Sequence, residues 1–117
     1  MDKMRLRPEG RGLVVAEENF KRMNAEEFAD LDPETVTLLD LRDENEFRLN
    51  GIEGSLNIPL DLVGTQLSSV PKDKPVIVYC KVGVWSEAIA EVLADRGYDA
   101  ATLEGGYNTY LALLYGL

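Results

Sequence analysis

An α/β fold, with a central mostly parallel sheet and helices on both faces, is predicted by three features of the sequence. Val36-Thr37-Leu38-Leu39-Asp40-Leu41 and Pro75-Val76-Ile77-Val78-Tyr79 are near-continuous apolar runs, the pattern of strands covered on both faces. Segments with helical spacing and cap signals alternate with these runs, which implies parallel strands joined by crossover helices. The 117 residues, 45% apolar and 28% charged, suit one globular domain with a core of its own.

Residues 1–18 show no period and include Pro8, Gly10 and Gly12, so they read as an irregular extension, either laid on the domain or a tail. Residues 19–117 form the domain. Asn24 and Glu27 have capping-box spacing and open a short helix running to about Leu31. Asp43 and Glu46 repeat that spacing after the first apolar run, and Gly51 is placed to end this second helix in a left-handed conformation.

Ser55 to Pro59 reads as a brief strand stopped by proline, and residues 60–69 hold one or two helical turns. Pro75–Tyr79 is the most strand-like run. Trp85, Ala88, Ile89, Val92 and Leu93 then share one face of a helix that starts near Ser86 and ends before Gly97. Tyr98–Leu103 is a strand, Gly105-Gly106 a turn, and Tyr107, Tyr110, Leu111 and Leu114 mark a last amphipathic helix.

Net charge is −9 and uneven: residues 1–22 carry six basic and four acidic side chains, leaving six basic and seventeen acidic for the remainder. An acidic body repels nucleic acid and anionic membranes, so neither is expected as a partner, although acidity also serves solubility alone. No apolar run approaches the roughly 20 residues that cross a bilayer. Leu13–Ala16 is too short for a signal-peptide core, so the expected location is cytoplasmic. With one cysteine and no histidine, the usual nitrogen and sulfur ligand sets for zinc or copper are missing.

The single cysteine, Cys80, stands at the carboxyl end of the strongest strand, where open α/β sheets bind their ligands. Lys81, Val82, Gly83, Val84 and Trp85 follow as a short loop, and Ser86 begins the next helix. Loop N–H groups and a helix N-terminus together hold an anion, the charged form that a sulfur nucleophile needs, and Lys81 adds a positive charge. Placement alone leaves a second reading open, in which Cys80 is a small buried apolar residue and Val84 and Trp85 are packing residues.

Longer motifs bear on that choice. Leu38 to Phe47, containing Asp40-Leu41-Arg42 and Glu46-Phe47, resembles the "DVRxxxEF" segment of rhodanese-like domains. Gly51 to Pro59 resembles their "GHIPGAINIP" stretch, and Pro75 to Ser86 their "IVVYCRSGxRS" active loop. Tyr98, followed by Leu103-Glu104-Gly105-Gly106-Tyr107, is similar to their closing "GYxxxxxLxGG" signature.

The resemblance covers residues 36 to about 110 in order. It implies the three-layer rhodanese-like fold and a single-domain sulfurtransferase without metal or organic cofactor. Cys80 is then the nucleophile that carries sulfur as a persulfide between a small-molecule donor and a thiol or cyanide acceptor. Lys81, Val82, Gly83, Val84, Trp85 and Ser86 form its cradle. Asp40 is implied at the strand end beside the loop, and Arg42 with Glu46 as a structural ion pair.

Departures from the family pattern shape the expected substrate. Gly51 and Glu53 replace the histidine and proline of "GHIPGA", a change in a bracing region. Val84 and Trp85 stand where many members carry arginines that grip an oxyanion. A missing guanidinium removes roughly 1.5–3 kcal/mol, or about 10- to 150-fold in affinity.

A persulfide is therefore expected as donor in preference to thiosulfate, with Trp85 as a contact surface. The loop and the ending Gly105-Gly106-Tyr107-Asn108-Thr109-Tyr110 also resemble rhodanese domains fused to coenzyme A disulfide and persulfide reductases, which implies a reductase partner or a coenzyme A persulfide; a sulfur-carrier protein is the other partner expected. Phosphatase chemistry, which needs arginine where Ser86 stands, is disfavoured. The remaining rival is a non-enzymatic binding or redox-sensing module.

Overall fold

The computed structural model describes residues 4–6, 13–15 and 18–117. β1 (Met4–Leu6) pairs antiparallel with β2 (Leu13–Val15), where the sequence predicts irregular chain. Strands of three residues are too short for alternation to be visible. Pro8, Gly10 and Gly12 lie outside the described residues.

The main sheet contains β3 (Lys21–Met23), β4 (Thr37–Asp40), β5 (Leu56–Asn57), β6 (Val76–Tyr79) and β7 (Ala100–Leu103). Their order is β3-β7-β6-β4-β5, and every pair is parallel. β6 is central, and all four of its residues are buried, as its unbroken apolar run requires. β3 has no apolar run to announce it, because an edge strand with a solvated face needs none.

Helices cover both faces. α1 (Ala25–Ala29) begins with the predicted capping box: Asn24 Oδ1 accepts the Glu27 N–H at 2.8 Å, and Glu27 Oε1 accepts the Asn24 N–H at 3.1 Å. α2 (Glu44–Asn50) is opened by Asp43, whose carboxylate accepts the Glu46 N–H at 2.8 Å. α3 (Val63–Gln66) lies between two 3₁₀ turns. α4 (Val84–Asp95) and α5 (Gly106–Tyr115) are the two longest helices.

Alternation along the strands divides the core. Leu39, Val76, Val78 and Ala100 face Val63, Leu67, Ala90 and Leu93 in one layer. Leu38, Ile77, Tyr79, Ala101 and Leu103 face Phe28 and Tyr107 in the other. No described helix is long and apolar enough to cross a membrane.

Two local expectations are corrected. Gly51 has φ −67°, not a left-handed value. Glycine is needed there for space instead, since a Cβ would lie 2.5 Å from both the ring and the carbonyl oxygen of Phe47. The α4 stripe is also turned: Ser86, Ala90 and Leu93 face inward, while Trp85, Ala88 and Val92 are exposed. The inward face packs Ile89, Ala90, Leu93 and Ala94 on the core, and Ser86 adds a polar contact with β7.

Gly105 and Gly106 do require left-handed backbone, with φ of +77° and +70°. A Cβ on Gly106 would come within 2.5 Å of the Lys81 carbonyl oxygen and 2.6 Å of the Gly83 nitrogen. Gly106→Ala combines left-handed strain with this overlap and is expected to cost about 2–4 kcal/mol in urea unfolding.

Edge strand β3 is pinned to α4 by Arg22, whose Nη2 donates to Glu87 at 2.8 Å and to Glu18 at 2.5 Å. The bond from Arg22 is the main reason that the Glu87 carboxyl falls from 4.5 to about 2. Its folded-state value is depressed, so its stabilisation is complete above the ordinary glutamate range and is lost as pH falls towards 2. Thermal melts should show wild type more stable than Glu87→Gln at about pH 6, with the gap closing as pH approaches about 2.

Candidate active site

Cys80 leaves the end of β6 on the same side as Val76 and Val78, and only 7% of it is exposed. Lys81, Val82 and Gly83 then turn the chain into α4. Gly83 has φ +89° and sits at the N-cap, and its N–H donates to Cys80 Sγ at 3.1 Å. Glycine is needed for the backbone and for space, because a Cβ there would be 3.1 Å from the nitrogens of Gly105 and Gly106.

The loop is anchored from behind. Tyr107 N–H donates to the Cys80 carbonyl at 2.8 Å and Asn108 N–H to the Lys81 carbonyl at 3.0 Å, so the first turn of α5 holds two loop carbonyls. The sulfur meets instead the N-terminus of α4. There the first N–H groups have no acceptor within the helix, and the dipole favours negative charge.

α4 starts at Val84, two residues before the predicted start near Ser86, because left-handed Gly83 permits immediate entry into the helix. Val84 and Trp85 are therefore helical, not loop, residues. They project outward, 66% and 60% exposed, and Val82 beside them is 54% exposed. A recessed sulfur thus has an apolar rim.

Ser86 is fully buried and turned inward, where its Oγ accepts from Cys80 Sγ at 3.6 Å and lies 2.8 Å from Thr102 Oγ1 on β7. In this arrangement the thiol donates to Ser86. When the sulfur is an anion, Ser86 can turn its proton towards it and accept from Thr102 in turn.

Asp40 stands at the end of β4 as expected, but its carboxylate serves Arg42. Arg42 Nη2 donates to Asp40 Oδ2 at 2.9 Å, Nε reaches both carboxylate oxygens at 3.1 and 3.2 Å, and Nη1 donates to Asn50 Oδ1 at 2.6 Å. The guanidinium carbon lies 4.2 Å from the centre of the Tyr107 ring. Burial opposes the charge on Arg42, yet the bonds to Asp40 hold its pKa above the ordinary value.

The implied Arg42–Glu46 ion pair is not formed. Arg42 is drawn inward to the buried carboxylate, while Glu46, in the first turn of α2, reaches over the loop and pairs with Lys81 at 2.9 Å. Asn57 completes the support by donating to the carbonyls of Asp40 and Arg42 at 3.1 and 2.9 Å.

The sequence reading misses Thr102, Asn50 and Asn57. Thr102 had a signal, since it is a polar residue in the otherwise apolar run Ala100–Leu103 and a buried hydroxyl demands a partner. Asn50 and Asn57 had none, because each bonds to chain far from itself in sequence. Among the described residues no group of three or more histidine, cysteine, aspartate or glutamate side chains could hold a metal ion.

Thr102→Val keeps the shape but leaves the buried Ser86 hydroxyl only its long contact with Cys80. It is expected to cost about 1–2 kcal/mol in urea unfolding, with most of the loss recovered by Thr102→Ser.

The model of the rhodanese-like domain matches residues 23–113. A thiosulfate sulfurtransferase, GlpE, of Shewanella oneidensis is 26% identical over 94 residues, covering 79% of this chain and 93% of that protein. A sulfurtransferase of Allochromatium vinosum is 34% identical over 76 residues, 64% of this chain and 71% of that protein. Among solved structures, a rhodanese-related protein of Thermoplasma volcanium superposes with a TM-score of 0.74 at 26% identity, covering 80% of this chain and 93% of that one. Reduced CoADR-RHD of Bacillus anthracis gives 0.74 at 30% identity, where 84% of this chain corresponds to 18% of that protein. With the sheet order, the glycine-braced cysteine loop and a matched segment spanning most of its length, the chain belongs to the rhodanese-like domain family.

Proposed function

We propose that this chain is a sulfurtransferase that carries sulfane sulfur on Cys80. The observation that carries the reading is the position of Sγ, which receives the Gly83 N–H at 3.1 Å at the mouth of α4 on a loop fastened to α5. A thiolate there attacks the outer sulfur of a donor persulfide or of thiosulfate. The new Sγ–S bond forms as the donor's S–S bond breaks, and the electron pair leaves with a thiolate or with sulfite. An acceptor thiol, as its thiolate, or cyanide then attacks the outer sulfur of the Cys80 persulfide, and Cys80 leaves as thiolate. No net redox change falls on the protein.

Within this reading Gly83 N–H and Ser86 hold the sulfur, the first turn of α4 stabilises its negative charge, and Asp40 with Arg42 braces the strand end. The names of the GlpE relatives in Shewanella and Coxiella favour thiosulfate as donor. The exposed Val84 and Trp85 favour a persulfide, because a dianion gains nothing from apolar side chains in place of a guanidinium.

Two measurements test the proposal. Intact-mass spectrometry after exposure to sulfane donors should show one added sulfur, removed by cyanide or a thiol and absent in Cys80→Ser. Failure to gain sulfur from any donor would leave a binding module. In steady state a low-molecular-weight persulfide should outperform thiosulfate, and Val84→Arg should raise kcat/KM for thiosulfate by about 10-fold or more. Equal turnover of the two donors by wild type would sink the preference.

A further inference from the structure

Lys81 directly follows Cys80 and is the only cationic side chain in the segment 80–86. Its ammonium is not left to the mouth of the site. Glu46 Oε2 lies 2.9 Å from Lys81 Nζ, with the two side chains 32% and 55% exposed. The Asp43 carboxyl caps α2, and the Glu46 N–H it accepts is the chief reason that its pKa lies below the ordinary value. Glu46 is thus the carboxylate that α2 sets against the loop's single cation. Among the described residues the guanidinium groups of Arg22, Arg42 and Arg48 are paired elsewhere: Arg22 bonds Glu18 and Glu87, Arg42 bonds Asp40, and Arg48 bonds Glu44.

We infer that Glu46 is a specificity-determining residue: by holding the Lys81 ammonium at 2.9 Å it withholds the loop's positive charge from whatever reacts with Cys80, and so turns the site away from polyanionic sulfane donors. A half-exposed ion pair contributes little to folding, so the chief effect of this one is on the field over the loop. Asp43 is engaged in the cap through the Glu46 N–H, whereas Glu46 holds Lys81 through its side chain. Removing the Glu46 charge therefore frees Lys81 to turn towards an anion without taking the cap from α2. The assignment deepens the sulfurtransferase reading and rests on it for the identity of the donor, but the electrostatic claim has its own readout.

Cys80 is the only cysteine in the chain, so thiol alkylation reports this position alone. In the full chain, second-order rates with anionic iodoacetate and neutral iodoacetamide give a ratio in which changes in thiolate fraction cancel. Glu46→Gln should raise the iodoacetate-to-iodoacetamide ratio about three- to tenfold at low ionic strength, and added salt should shrink the gain. Lys81→Met should lower the ratio, and Glu46→Gln on the Lys81→Met background should give at most a small part of the single-variant gain. The kcat/KM for thiosulfate relative to a low-molecular-weight persulfide should rise in Glu46→Gln along with the alkylation ratio. An unchanged alkylation ratio in Glu46→Gln, or a full gain that survives Lys81→Met, overturns the inference. A wild type that acquires no sulfur from any donor overturns the sulfurtransferase reading instead, and the alkylation ratio still decides the role of Glu46.

Discussion

A loop that presents a sulfur to solvent must satisfy its own carbonyls elsewhere, and here the first turn of α5 accepts that task. Tyr107 and Asn108 donate to Cys80 and Lys81, and the exchange is open only because Gly83, Gly105 and Gly106 let two backbones approach within the space of a side chain. With the carbonyls tied back, the Gly83 N–H is left on the sulfur and α4 can begin without delay. The family's closing glycine pair is thus part of the active loop, although more than twenty residues separate the two in sequence.

Beneath the loop lies a buried charge pair. Asp40 and Arg42 are costly to remove from water, and such a pair holds only when its remaining donors and acceptors are met. Asn50, the Arg42 N–H and the face of Tyr107 meet them, and Tyr107 also donates through its hydroxyl to the Asn50 carbonyl at 2.6 Å. One tyrosine therefore touches both supports: its backbone N–H holds the Cys80 carbonyl, and its ring covers the guanidinium. Burial raises the pKa of this phenol, in keeping with its service as a donor.

How far the sequence could be read depended on the range of each interaction. The capping box at Asn24 and the side-chain cap at Asp43 were legible because their contacts span three residues, and β6 because unbroken apolarity on both faces leaves few other fates. The position of Cys80 at a strand end followed from the same run. Partner choice was not legible. Arg42 had carboxylates on either side in sequence, Asp40 and Glu46, and only the burial of β4 decides between them. The face of α4 was likewise hidden, since the apolar stripe through Trp85 and Val92 competes with a hydroxyl pair, Ser86 and Thr102, that exists only once β7 lies beside β6.

The depth of Cys80 has a consequence for the chain's own oxidation. A disulfide needs its two Cα atoms within about 7 Å of each other. Cys80 is buried while Val82, Val84 and Trp85 close to it in the chain are exposed, so a disulfide between two copies requires these side chains to move aside. A slender thiol or persulfide faces no such obstacle. The depth of the sulfur thus sets a solitary cysteine apart from its twin.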